Sequence, residues 1–109
     1  MTCYRSFGRF GFNGTHVKNA INEDHFAGGS SAGSAVSVKA FQALGSLGTD
    51  TGGSVCYPAH CTGLFSMKPS FGRLSRFGMI TYSSSNDVTG PLAHSIHDLH
   101  QMFCKYLLS

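Results

Sequence analysis

Gly28-Gly29-Ser30-Ser31-Ala32-Gly33-Ser34 and Gly48-Thr49-Asp50-Thr51-Gly52-Gly53-Ser54 are the two stretches that decide the fold of this chain. Each sets serines in a glycine-rich turn, and Ser30 and Ser54 stand 24 residues apart. Glycine lets backbone approach a ligand closely, so turns of this kind read as ligand cradles rather than loose linkers. Between them, Ala35, Val36, Val38, Phe41 and Leu44 fit a helix over 34–44 packed on one side. The serines and glycines just ahead of it are N-terminal signals. Residues 44–49 are short enough for a buried strand that runs into the second turn. A second helix is expected from about Ser54, with Pro58 tolerated only in or near its first turn.

Further out, residues 64–67 read as another strand, stopped by Lys68-Pro69, and residues 70–78 as a turn-rich loop. Residues 79–82 suit a further short strand, and Ser83 to Asp87 a loop. The last segment, 94–108, is an amphipathic helix with Ile96, Leu99, Met102, Phe103 and Leu107 on its apolar side. Upstream, residues 6–14 alternate Phe with Gly and suit an irregular strand or loop, while 18–27 are polar and expected to be exposed. Strands alternating with helices place the fold in the α/β class.

With 109 residues the chain is one domain at most and can bury only about two-thirds of its unfolded surface. An apolar content of 41% is ordinary for a core and argues against disorder. The net charge of +3 and the lack of any run of five basic residues do not indicate direct binding of nucleic acid. Four cysteines without an apolar signal-peptide core suggest reduced thiols inside a cell, where the sequon Asn13-Gly14-Thr15 carries no meaning. No apolar stretch approaches the roughly 18 residues of a membrane span. Arg5, Arg9 and Lys18 precede the first acid, Glu23, as in a presequence, but Gly8, Gly11 and Gly14 favour domain interior over an amphipathic leader.

A serine hydroxyl attacks a carbonyl only when a base takes its proton and donors stabilise the oxyanion. Thr51-Gly52-Gly53-Ser54 can supply such donors as consecutive backbone N–H groups. Gly29-Ser30-Ser31-Ala32-Gly33 also satisfies the G-x-S-x-G nucleophile elbow centred on Ser31, although Asn22-Glu23-Asp24-His25 makes a poor preceding strand. His94, His97 and His100 recur every three residues, a spacing that drifts around a helix and favours solvated or capping histidines over metal ligands. The 28–34 turn lacks the lysine of a phosphate-binding loop.

Joined by Lys68-Pro69-Ser70-Phe71-Gly72-Arg73-Leu74-Ser75-Arg76-Phe77-Gly78 and Asp87-Val88-Thr89-Gly90-Pro91, the serine turns resemble the amidase signature family over roughly Phe12 to Phe103. The resemblance implies an α/β fold whose mixed sheet is flanked by helices, and cleavage of amide bonds by a Ser–Ser–Lys triad. It assigns Ser54 as the acyl-forming nucleophile and Ser30 as the bridging serine, preceded by a cis peptide bond. Thr51, Gly52, Gly53 and Ser54 would form the oxyanion hole, with Ser31 and Asp50 in support. The family's lysine would fall ahead of Met1; Lys39, within the helix, and Lys68, in the Lys-Pro motif, do not match it. Because family members are several times longer, residues 1–109 read as a partial domain truncated at both ends. Three positions depart from the pattern: Cys56 stands where an arginine is usual, and Ser66 and Ala32 where glycines are. The usual arginine would brace the active-site loop through the carboxylate matching Asp50.

The wording Gly72 to Gly78 is similar to the amidotransferase branch of that family, fungal mitochondrial forms among them. That likeness implies hydrolysis of glutamine to supply ammonia for conversion of Glu-tRNA(Gln) to Gln-tRNA(Gln). The partners would be the B subunit, together with a small accessory subunit. Glu-tRNA(Gln) would be engaged through the complex, with no membrane contact. ATP and Mg would be used by the complex, and this chain would bind no cofactor or metal. The expected location is the mitochondrial matrix, with the cytoplasm as the alternative. A stand-alone amidase and a non-catalytic relic are the rival readings.

Overall fold

A computed structural model describes residues 17–107. The segment at 6–14 and the two ends of the chain lie outside the described residues. In chain order the elements are α1 (Ala32–Lys39), β1 (Gly45–Asp50), α2 (Cys56–Thr62), β2 (Phe65–Ser66), β3 (Val88–Ala93) and α3 (Ile96–Leu107). The three strands form a sheet in the order β1-β3-β2. The register runs from Gly45 opposite Ala93 to Asp50 opposite Val88, while Phe65 and Ser66 face Ala93 and Leu92. The α/β class therefore holds, but both pairings among the described residues are antiparallel, where a mixed sheet was expected. No helix of the described residues is long and apolar enough to cross a membrane.

The core is small and lies where α1 and α2 meet the central strand. Ala35, Val55, Ala59 and Leu92 form one buried cluster, with Leu64 packed against it. Each fully buried Val or Leu contributes about 1.5–3 kcal/mol by leaving water. From the last helix, Leu99 is buried whereas Ile96 is exposed, so only part of its expected apolar side meets the sheet.

Helix α1 begins two residues earlier than its apolar spacing suggests and stops at Lys39. Beyond it Phe41 takes a positive φ of 58°, which a helix cannot continue through, and its ring stacks on His94 at 4.3 Å. Phe41 and Leu44 are exposed, so neither belongs to the buried face assigned to them. The strand expected at 79–82 does not form. The Tyr82 and Ser83 N–H groups instead donate to Asp87 Oδ2, at 2.6 and 2.8 Å, and a carboxylate takes the place of a neighbouring strand. Within 18–27, Asn19 and Ala27 are buried rather than exposed. The Asn19 amide donates to the carbonyls of Phe26 and Cys61, both at 2.8 Å, and ties this segment to α2.

The centre of the sheet, β3, is the element that the residue pattern hides, because Pro91 argues against a central strand. In an antiparallel ladder the N–H and C=O of one residue face the same neighbour. The Pro91 carbonyl accepts from Met67 N at 3.2 Å, just past the end of β2. The donor that proline lacks is therefore missing on an edge where the ladder has already ended.

Candidate active site

The two serine turns meet. Ser31 N–H donates to the Ser54 carbonyl at 3.1 Å, and the Ser31 hydroxyl is locked onto β1, accepting from Thr49 N at 3.2 Å and lying 3.3 Å from Thr49 O. The stitching continues along α1, where Ser34 Oγ donates to Leu47 O and Ser46 Oγ to Ser34 O, each at 2.8 Å. Gly48 permits this closeness: a Cβ there would sit 2.6 Å from Ser31 Oγ and 2.8 Å from Val55 Cγ2. The peptide bond between Gly29 and Ser30 is cis, as the resemblance implied. Ser31, with its hydroxyl so occupied and no strand leading into it among the described residues, does not have the surroundings of a nucleophile elbow.

A serine opening a glycine turn before a helix is most simply a helix cap, and the geometry tests that for Ser54. Val55 occupies the N-cap of α2 and makes no side-chain cap bond. The capping is done by Asp50, which reaches across the turn to accept from Gly53 N and Val55 N, both at 2.7 Å, and from Cys56 N at 3.4 Å. Among the described residues no partner takes the Ser54 hydroxyl. One consequence bears on the expected oxyanion hole: the Gly53 N–H belongs to Asp50, which leaves the Thr51, Gly52 and Ser54 N–H groups of this turn as candidate donors.

Asp50 is fully buried and forms an ion pair with Lys68, whose Nζ lies 2.8 Å from Oδ1. Burial pushes its carboxyl upward, but the Lys68 ammonium and the amides of Val55, Gly53 and Cys56 outweigh that and hold it below the usual carboxylate range. The same ammonium donates to the Thr51 carbonyl at 2.6 Å. On the other flank, the Thr51 hydroxyl donates to Asp87 Oδ1 at 2.5 Å. That bond, working against desolvation and helped by the Ser83 and Tyr82 amides and by Arg76, also lowers the Asp87 carboxyl.

Lys68 and Asp87 are the functional candidates that residue-level reading leaves without a role. Both stand in the motifs that carry the family resemblance, yet they lie 17 and 36 residues from Thr51, beyond any local spacing rule. Lys68 also supplies a cation to Asp50 where Cys56 does not. A shallow cleft opens beside Thr51 and Lys68, walled by Ser70, Phe71, Ser85 and Asn86. The histidines stand apart from this site. His94 Nε2 lies 2.7 Å from the Val38 carbonyl, His100 lies 3.4 Å from Cys104 Sγ, and no group of three or more metal-ligating side chains occurs among the described residues.

This arrangement is shared with known proteins. The Amidase family profile matches residues 2–107. The A subunit of the glutamyl-tRNA(Gln) amidotransferase of Trichlorobacter lovleyi is 49% identical over 82 residues, covering 75% of this chain and 17% of its own length. A crystal structure of an amidase superposes with a TM-score of 0.89 at 40% identity, covering 96% of this chain and 24% of that one. The corresponding glutamyl-tRNA(Gln) amidotransferase chain from Thermotoga maritima superposes with a TM-score of 0.75 at 38% identity, covering 79% of this chain and 19% of that one. The chain thus spans less than a fifth of the length of the curated relatives it matches, and with its paired serine turns it belongs to the Amidase family.

Proposed function

We propose that this chain carries the nucleophile segment of a glutamine-hydrolysing amidotransferase subunit. The observation that supports this most directly is the docking of the two serine turns through Ser31 N–H and the Ser54 carbonyl, with Asp50 capping α2 and the Ser54 hydroxyl left to react. In this reading Ser54 Oγ attacks the carboxamide carbon of glutamine, and its proton passes to Ser30. N–H groups of this turn that Asp50 does not take, Gly52 among them, receive the oxyanion, each such donor being worth about 3–4 kcal/mol of barrier. Collapse of the tetrahedral adduct breaks the C–N bond; the nitrogen leaves as ammonia with the returned proton, and water then frees glutamate from the Ser54 ester. The base beyond Ser30 is a lysine supplied by residues other than Lys39 and Lys68. The ammonia would serve amidation of Glu-tRNA(Gln) in a complex with B and small accessory subunits, using ATP and Mg, in the mitochondrial matrix.

A test is to graft this segment into the Trichlorobacter lovleyi protein in place of its matching residues. Ammonia release from glutamine is expected, Ser54→Ala should abolish it together with the covalent glutamyl adduct seen by intact mass, and Ser30→Ala should slow it severely. Adduct formation in Ser54→Ala would exclude Ser54 as the nucleophile. Faster turnover of a hydrophobic amide than of glutamine would favour the stand-alone amidase, the reading supported by the higher structural similarity to an amidase.

A further inference from the structure

The glycine tip of the turn that carries Ser54 is open on its outer side. A Cβ at Gly52 or at Gly53 would meet no atom within 4 Å, so side-chain packing does not hold this backbone. The peptide unit joining Thr51 to Gly52 is planar, and its C=O and N–H point in opposite directions. Whatever fixes the Thr51 carbonyl therefore fixes the direction of the Gly52 N–H. Lys68 Nζ holds that carbonyl at 2.6 Å while anchored to the buried Asp50 at 2.8 Å. Asp87, itself held by two backbone N–H groups, takes the Thr51 hydroxyl and blocks rotation about the same residue.

We propose that Lys68 is a positioning residue for the Ser54 reaction: bridging Asp50 and the Thr51 carbonyl, it aims the Gly52 N–H at the oxyanion. The proposal rests on the glutaminase reading for its catalytic part and on geometry alone for its structural part. A misdirected donor weakens the transition state more than the bound substrate, so its signature is a fall in kcat at constant KM. Complete loss of one oxyanion donor costs roughly 100- to 1000-fold, and a donor set loose rather than removed should cost about 10- to 100-fold.

Two measurements separate the parts. In the grafted protein, the Gly52 amide resonance of Lys68→Met should shift and lose order on the nanosecond scale while those of Gly48 and Leu92 stay in place; Lys68→Arg should restore it. An unchanged Gly52 amide in folded Lys68→Met overturns the proposal, whatever the catalysis. General collapse of the Gly48 and Leu92 signals, not rescued by Lys68→Arg, would make Lys68 a stability residue and overturn it equally. In the grafted enzyme, Lys68→Met should lower kcat for glutamine about 10- to 100-fold with KM unchanged, and Lys68→Arg should recover most of it. A raised KM with full kcat overturns the positioning role. If the unsubstituted graft releases no ammonia, the glutaminase reading falls while the Gly52 amide still decides what Lys68 holds.

Discussion

The two serine turns have similar sequences and are held in place by different forces. The first, at 28–31, is packed in. Gly28 sits where a Cβ would be 2.7 Å from Pro58 Cα, Ser31 is buried, and its hydroxyl is paired with β1. The second, at 51–54, stands open, and charge orients it: Asp50 beneath, Lys68 on the Thr51 carbonyl, Asp87 on the Thr51 hydroxyl. A turn fixed by packing resists changes of pH and salt but tolerates no added atom. A turn fixed by ionic contacts tolerates added atoms at its tip yet loses its shape when a charge is removed. Under the proposed function, the second arrangement would leave room for a substrate beside Ser54 while keeping the donors aimed.

Breaking the second turn at its root should have the largest effect. Asp50→Ala leaves the Gly53 and Val55 amides without their acceptor and takes one of two partners from Lys68, whose side chain is only about two-thirds covered; each buried donor left unsatisfied costs about 1–3 kcal/mol. Equilibrium urea unfolding should show the midpoint fall accordingly. Unchanged stability would mean that Asp50 does not hold α2.

The first turn should break by bulk instead. Gly48→Ala drives a methyl into Ser31 and Val55, and overpacking of this kind costs about 1–3 kcal/mol. The matching addition at Gly52 meets open space, so the contrast in unfolding midpoint between Gly48→Ala and Gly52→Ala measures the difference between the turns directly.

Acid should separate them further. Asp50 and Asp87 titrate below the ordinary carboxylate range when folded. The stability they confer is therefore fully present above an unfolded value of about 3.9 and is lost as pH falls through the lowered folded values. Amide signals of Gly53, Val55 and Ser83 should move in that window, ahead of Thr49, whose bond to Ser31 contains no titrating group. Simultaneous movement of all four would erase the distinction. The smallest effect on the unfolding midpoint should come from Lys18→Ala, because both partners of its pair with Glu23 are exposed and solvent screens the attraction.

Much of this site is legible in the residues because its local parts are local in sequence. The glycine turns and the helix between them follow from motifs whose members lie within a few residues of each other, and the cis bond before Ser30 from the family resemblance that those motifs carry. The central strand is not legible, since Val88 to Ala93 carries Gly90 and Pro91 and makes sense only once β2 is known to end beside Pro91. The misplaced Phe41 and Leu44 share a cause. Apolar spacing extends past Lys39, but the backbone turns at Phe41 and takes both side chains out of the core.

By itself the sequence determined the family, the nucleophile candidate and the glycine positions, because sterics and backbone freedom act between near neighbours. Only the tertiary structure decided who caps α2, which N–H groups of the Ser54 turn remain available, and what Lys68 and Asp87 do. Those answers depend on side chains that meet across 17 and 36 residues, and a charge finds its partner through the fold rather than through spacing along the chain.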